Sequence, residues 1–473
     1  MSRSNTPHDP SSGFFQRLRT TLGPKGMPTD DRGRMRMVLD SMILHIHPAK
    51  VEVRTLRFTY TWGLGGLSAL LIMLLMATGI LLEMNYTPSP PQAYLDILNL
   101  RANVWFGELI RNIHHWSANL LVVVSILHLL RVFFTGAYRS PRETNWIIGV
   151  VMLLLVLGAN FTGYLLPWDQ LAFWAITVGT SIVEYVPVVG SWLSNLLLGG
   201  PEVSATTLLN FYAMHISIIP VSIVMLMSYH FWRVRKDGGL SIPKTTAELA
   251  APEEEAARPE RVTTIPHLVR KELIWALTWL AVMLTWGMLI SAPLEGIANP
   301  DISPNPAKAP WYFMGLQELL LHFHPVIAAV LIPLLALTAL ALLPFYDITL
   351  ESVGVYFRSW RGRYLTLIAT SLALFITPIW VLVDEYALHW TDWFPTWPTW
   401  ISNGLLPLSL LLVGFAMLQG VLKIIYKTNL EERVLIGFTY LFTALIVLTI
   451  IGIFFRGEGM QLIWPWEINV HAF

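Results

Sequence analysis

The sequence predicts an all-α membrane protein with about nine transmembrane helices. Three observations carry this: an apolar composition, a series of span-length apolar runs, and a one-sided distribution of basic residues. Apolar residues make up 54% of the 473 and charged residues 13%, against roughly 25% charged in an ordinary soluble protein. A water-soluble fold cannot hide that much apolar surface, whereas lipid is itself apolar. Lys+Arg and Asp+Glu are equal at 31 each, so no bulk charge points to a nucleic-acid partner.

A helix needs about 20 apolar residues to cross ~30 Å of hydrocarbon. Such runs fall near 61–84, 110–134, 145–165, 208–232, 273–293, 326–345, 364–383, 403–425 and 434–454. Lys and Arg favour the cytoplasmic side of a membrane. With a cytoplasmic N-terminus, all but four of the 31 Lys and Arg fall in cytoplasmic segments or at the helix ends beside them. The exceptions are Arg101, Arg111, Lys308 and Arg456. The C-terminal tail is then external. Trp390, Trp393, Trp397 and Trp400 fit an interfacial aromatic belt.

The first thirty residues are polar and lack the apolar centre of a signal peptide, so a later span is expected to direct insertion. Residues 32–47 are amphipathic and Arg-bearing, as for a helix lying along the cytoplasmic surface. Residues 237–266 form the longest polar stretch and separate four spans from five. The expected organisation is an arm over 1–60, a four-helix bundle over 61–236, a cytoplasmic linker over 237–266, a three-helix half over 267–385, and two additional spans with an external tail over 386–473.

There is no cysteine. Disulfides, thiolate zinc sites, cysteine-held iron–sulfur clusters and covalently attached haem are therefore excluded in this chain. Histidine is the strong soft-metal ligand that remains, and an ionisable residue inside a span is a functional candidate. The second span contains His114, His115 and His128, and the fourth contains His215 and His230. From His114 to His128 an α-helix returns to within about 40° of the same face with a rise of ~21 Å; from His215 to His230 it returns to within about 60° with a rise of ~22 Å. The two spans run in the same direction, so His114 lies level with His215 and His128 with His230. Two bis-imidazole pairs stacked about 20 Å apart can hold two planar haems. This predicts that the first four spans form a di-haem four-helix bundle. His115 lies about 100° off that face.

The first span has Gly65 and Gly79, and the third has Gly149 and Gly163. These spans run opposite to the histidine spans, so Gly79 and Gly163 fall at the outer pair and Gly65 and Gly149 at the inner pair. A glycine costs about 1 kcal/mol in a helix, and its use here is to let a flat macrocycle approach the backbone. Small-residue helix packing is the competing reading. Arg111 lies one turn from His114 and Arg131 three residues beyond His128, each placed to pair with a haem propionate. For Arg131 an ordinary cytoplasmic-side charge serves equally.

The segments RNIHHWSANLLVVVSILHLLRVFFTGAYRSPRE, GYLLPWDQ and FYAMHISIIP…YHFWRVRKDG resemble cytochrome b6 of the cytochrome b6f complexes, whose fourth span shows the same histidine spacing. The chain after residue 265, with PNPAKAPWYFMGLQELL, resembles the companion subunit IV. The resemblance covers roughly 32–385 and joins in one chain what b6f complexes keep as two, as in other bacterial cytochromes b of bc-type complexes. It implies a subunit of a quinol–cytochrome c oxidoreductase in a bacterial inner membrane. Two non-covalent b-type haems would carry electrons from an outer quinol-oxidation site to an inner quinone-reduction site, with proton translocation. A Rieske iron–sulfur protein, a c-type cytochrome subunit and a homodimeric complex are the implied partners. The outer site is expected between Pro167, Trp168, Asp169 and Gln170 and the segment Pro310, Trp311, Tyr312, with 181–200 capping it.

Two departures matter. The family's PEWY motif carries a glutamate thought to accept the quinol proton; the aligned residues are Ala309, Pro310, Trp311 and Tyr312, and proline takes no proton. Glu318 is the expected replacement, relaying to His322; a structural pairing of Glu318 is the alternative. The missing glutamate leaves a slow or reversed outer site open, and suits a low-potential quinone such as menaquinone by association only. The cysteine that binds a third haem in cytochrome b6 is Gly63 here, so no thioether can form. A second function remains open: a haem-relay membrane anchor wiring an external oxidoreductase to the quinone pool without electron bifurcation.

Overall fold

The structure, a computed structural model, describes residues 28–40, 44–243, 260–346 and 353–467. The N-terminal segment before 28, most of the 237–266 linker and the end of the external tail lie outside the described residues. Among the described residues nine helices are long and apolar enough to cross a membrane. A surface helix α1 (Asp31–Asp40) precedes them. The spans of the first half are α2 (Leu64–Glu83), α3 (Gly107–Phe134) and α4 (Glu143–Tyr164). After α4 come the shorter α5 (Gln170–Val183) and α6 (Gly190–Leu198), then the spanning α7 (Ala205–Lys236). The second half holds α8 (Thr264–Leu289), the short α9 (Met314–His322), α10 (Val326–Phe345), α11 (Trp360–Ala387), α12 (Ile401–Tyr426) and α13 (Leu430–Phe454).

One feature departs from the all-helical expectation. Strand β1 (Lys50–Glu52) pairs antiparallel with β2 (Arg261–Thr263), Val51 opposite Val262. Arg261 also meets Glu52 at 3.0 Å, so the end of the linker is stitched to the arm. The apolar run predicts a fifth span at 273–293; the helix starts at Thr264 because its polar first turns find partners. Lys271 donates to the Leu56 carbonyl at 2.7 Å and Glu272 meets His47 at 3.1 Å.

Helix α2 packs on α3, α4 on α7, and α3 on α8. The main core joins Leu67 and Leu71 of α2, Leu121 and Val122 of α3, Val156 of α4, Ile219 and Ile223 of α7 and Met283 of α8. Leu121 and Val122 fall between the two histidines of α3, and Ile219 and Ile223 between those of α7, so the core forms an apolar waist between the two histidine levels. Hydrogen bonds hold the halves together at one end of α3. Asn112 donates to the Gly287 carbonyl at 2.9 Å and accepts from the Ala292 N–H at 2.8 Å; Trp116 donates to the Ile290 carbonyl at 2.9 Å.

Candidate functional site

The four predicted histidines meet in two pairs. His114 and His215 stand 6.2 Å apart between ring centroids and His128 and His230 6.4 Å. Metal–imidazole bonds are about 2 Å long, so two rings on opposite faces of one metal ion stand about 6 Å apart. Both pairs fit that separation.

The equal separations need explanation, because the spacing is 14 residues in α3 and 15 in α7. One turn of α7, Met214–Ile218, is a π turn. Pro220 lies just beyond it, and in a regular helix its ring would clash with the carbonyl four residues back, at Ile216. Widening the turn relieves the clash and absorbs one residue. The 15 residues of α7 therefore subtend what 14 subtend in α3.

At the outer pair the hydrogen bonds fix the tautomers. His215 Nδ1 lies 2.9 Å from the Ala159 carbonyl, which can only accept, so that nitrogen carries the proton. His114 Nδ1 lies 2.9 Å from Thr78 Oγ1, whose own hydrogen goes to the Leu74 carbonyl at 2.7 Å; His114 Nδ1–H is again the donor. Both rings are left with bare Nε2 lone pairs, the form that ligates a metal. Among the described residues no group of three or more His, Asp or Glu is arranged to hold an ion. Two imidazoles per level suit a metal whose remaining positions are filled by its own macrocycle.

The glycines face these rings. A Cβ on Gly79 would lie 3.3 Å from His114 Cε1 and one on Gly163 2.5 Å from His215 Cε1. At the inner level the values are 3.3 Å from Gly65 to His128 and 3.8 Å from Gly149 to His230. Arg131 is buried beside the inner pair. Its Nε donates to the Tyr60 carbonyl at 3.1 Å, its guanidinium lies over the Tyr60 ring, and its Nη2 has no partner. That leaves a buried cationic donor free for an anion.

Arg111 does not stand free in this way. Its guanidinium donates to the Ala292 carbonyl at 2.9 Å and the Pro293 carbonyl at 2.6 Å. Arg111 thereby ties the loop after α8 to α3.

The PWDQ segment is zipped to residues 295–302, a partnership that spacing alone does not reveal. Ala298 N–H donates to the Trp168 carbonyl, Gln170 N–H to the Gly296 carbonyl, and the Gln170 side chain bonds Asn299 and Ile302. Asp169 caps α5 through Ala172 N–H at 2.9 Å and accepts from Glu295 N–H at 3.3 Å. Burial raises the Asp169 carboxyl above its ordinary value despite those two donors. Burial, then the nearby Asp169, raises Glu295 as well. Glu295 escapes a sequence reading because nothing local marks it.

Trp311 and Tyr312 form a 3-10 turn before α9. Trp311 Nε1 donates to Asn119 of α3 at 2.6 Å, which ties the turn to the helix carrying His114. Gln317 holds the preceding loop, accepting from Ala309 N–H at 2.6 Å and donating to the Ala307 carbonyl at 2.7 Å. The Tyr312 hydroxyl is buried without a partner. Tyr164 is close enough to interact electrostatically with Tyr312 on one side and with Asp169 and Glu295 on the other.

Glu318 lies elsewhere. It is fully buried, and Arg456 from the end of α13 reaches both its oxygens, Nε at 3.1 Å from each and Nη2 at 2.5 Å. His322 sits 3.4 Å away and turns its other nitrogen to Asp384 at 2.8 Å. Burial alone would raise the Glu318 carboxyl; His322 and Arg456 outweigh it and hold it below its ordinary value. Of the two readings left open for Glu318, proton acceptor and structural pairing, the geometry found is that of a buried ion pair. At the position of the b6 cysteine, Gly63 has φ +62°, and a Cβ there would lie 2.5 Å from the Trp275 indole nitrogen.

Two imidazole pairs, 6.2 and 6.4 Å between centroids, set among span-length apolar helices are an arrangement into which planar metal cofactors would fit. The family model described as cytochrome b/b6/petB matches residues 51–238. The menaquinol:cytochrome c reductase cytochrome b subunit of Geobacillus thermodenitrificans is 42% identical over 195 residues, 41% of this chain and 85% of that protein. Cytochrome b6 of Heliobacterium mobile is 40% identical over 192 residues, 41% of this chain and 88% of that protein. The cytochrome bc complex cytochrome b subunit of Chlorobaculum thiosulfatiphilum is 34% identical over 293 residues, 60% of this chain and 65% of that protein. This chain belongs to the cytochrome b/b6 family. A chain of a hyperthermophilic respiratory Complex III shares its fold, with a TM-score of 0.61 at 21% identity over 90% of this chain and 98% of that one.

Proposed function

We propose that the chain is the cytochrome b subunit of a quinol:cytochrome c oxidoreductase-type complex in a bacterial cytoplasmic membrane, with its N-terminus on the cytoplasmic side. The observation that carries this is the pair of imidazole pairs, 6.2 and 6.4 Å between centroids, one above and one below an apolar waist. His114 with His215 and His128 with His230 are the residues that would hold two non-covalent b-type haems. When bound, these groups supply reversible one-electron transfer between the membrane faces. The chain's own work is to orient the imidazoles through Thr78 and Ala159, to clear space at the four glycines, to offer Arg131 to a carboxylate, and to keep water out of the waist.

Quinol is assigned to an outer site between PWDQ and the Trp311–Tyr312 turn. The unpartnered Tyr312 hydroxyl is a hydrogen-bonding group for it, and Asn119 fixes Trp311. With proline at 310 and Glu318 held by Arg456, the proton acceptors are assigned to Asp169 and Glu295. Both are lifted by burial and both adjoin Tyr164. The names of the relatives support menaquinol as the donor. A Rieske protein, a c-type cytochrome subunit and a second copy of the complex are the partners this function requires.

The test is a reduced-minus-oxidised spectrum with pyridine-haemochrome counting on the purified complex. Two b haems per chain are expected, and none would overturn the assignment. Pro310 favours the second reading, a haem relay without bifurcation; that reading predicts one inhibitor-sensitive quinone site and no co-purifying Rieske protein, where the first predicts two sites.

A further inference from the structure

Helix α13 lies outside the region that the family model matches. We propose that it is a positioning element for the outer site: the end of α13 holds the segment carrying Trp311 and Tyr312 in place, with Arg456 as the principal tie. This rests on the outer-site assignment above.

Three bonds bracket that turn. Ahead of it, Lys308 donates to the Ile453 carbonyl at 2.9 Å and Asn305 accepts from Gly459 N–H at 2.5 Å. Behind it, Arg456 grips Glu318. The turn itself is closed by Phe313 N–H on the Pro310 carbonyl at 2.8 Å, and Gln317 of α9 binds Ala307 and Ala309 ahead of it, so whatever fixes α9 also fixes the turn. Arg456 is braced in turn by Glu385 of α11 at 2.7 Å and by the Met460 carbonyl at 2.9 Å. His322 extends the frame to Asp384, and Asp384 to Trp390 at 2.9 Å.

The two helices also approach closely. A Cβ on Gly452 of α13 would lie 2.9 Å from Met314 Cε and 3.3 Å from its carbonyl oxygen. One on Gly315 of α9 would lie 2.7 Å from Thr449 Oγ1 and 3.1 Å from the Leu445 carbonyl. Arg456 and Glu318 are 1% and 0% exposed. A buried ion pair is an expensive way to gain stability, because desolvation offsets the attraction. What it provides here is direction: several short bonds fix α9 at Glu318, and through it the position of Trp311 and Tyr312.

The test is steady-state kinetics on the whole purified complex, with a short-chain menaquinol analogue as donor and a soluble c-type cytochrome as acceptor. Gly452→Ala leaves the ion network intact and pushes on Met314; Arg456→Met removes the tie; Arg456→Lys restores part of it. For the first two, a rise in KM of about tenfold is expected, with kcat and the haem difference spectrum nearly unchanged and partial recovery in the lysine variant. KM within about twofold of the parent in Gly452→Ala, or a fall in kcat that follows haem loss, overturns the proposal. If Arg456→Met fails to assemble, Gly452→Ala and Arg456→Lys decide. Tyr312→Phe is run beside them. A KM increase there without one in the α13 variants overturns this inference alone; no change in any variant overturns the outer-site assignment with it.

Discussion

His215 faces His114 at 6.2 Å between ring centroids because the turn of α7 that carries His215 is widened. Relaxing that turn to a regular helix would rotate the ring by about 100° relative to His230. Pro220→Ala removes the ring that enforces the wide turn. It is expected to lower outer haem content while the inner haem stays, read as a fall from two haems per chain towards one. Full retention of both would show that tertiary packing alone holds the turn.

The single histidine variants separate the levels. His114→Leu is expected to remove one b haem and His128→Leu the other, each leaving about one per chain, since each level depends on its own pair of ligands. Loss of both haems from either variant would mean that the levels do not assemble independently.

The glycines differ in how closely they meet the rings, so they predict different outcomes. Gly163→Ala puts a methyl 2.5 Å from a rigid imidazole carbon, whereas Gly149→Ala leaves 3.8 Å, an ordinary contact. The first should displace His215 and deplete the outer haem; the second should retain both. Equal behaviour in haem counting would return the glycines to ordinary helix packing.

The corner formed by Glu318, His322, Asp384 and Arg456 predicts a pH window for stability. His322 is raised above its ordinary 6.5: burial opposes the charge, but the hydrogen bonds it donates to the Asp384 and Glu318 carboxylates outweigh that effect. Its contribution is therefore fully present below 6.5 and is lost as pH rises through the folded value. Glu318 is lowered below 4.5, so its contribution is present above 4.5 and lost as pH falls through the folded value. Thermal unfolding of the purified complex should show both limbs, and His322→Gln should abolish the upper one.

Asn119 tests the link between the Trp311 turn and α3. Asn119→Leu removes the acceptor 2.6 Å from the Trp311 indole. A hydrogen bond worth about 1 kcal/mol implies roughly a fivefold loss in kcat/KM for quinol. An unchanged value would remove Trp311 from the quinol site.

The nine spans and the four histidines were legible in the sequence because both follow from local rules. Apolar runs of span length need only a count, and histidines at nearly equal spacing on two parallel helices need only helical geometry. The glycine levels followed from the same geometry with the direction of each span added. The partners of Glu318 and Arg111 were not legible, because nothing in either residue's own segment names them. Their partners, Arg456 and the carbonyls of Ala292 and Pro293, come from far along the chain. Glu295, Asn119 and the strand pair β1–β2 went unnoticed on the same grounds.

By itself the sequence determined that this is a multi-span membrane protein with two levels of paired histidines, because burial in lipid and helix periodicity act within one segment at a time. Only the tertiary structure decided which groups Asp169 and Glu318 bond, how a 15-residue spacing matches a 14-residue one, and what the last helix packs against. Those depend on which distant groups share a buried volume, where a charge must find a partner and a proline must find room.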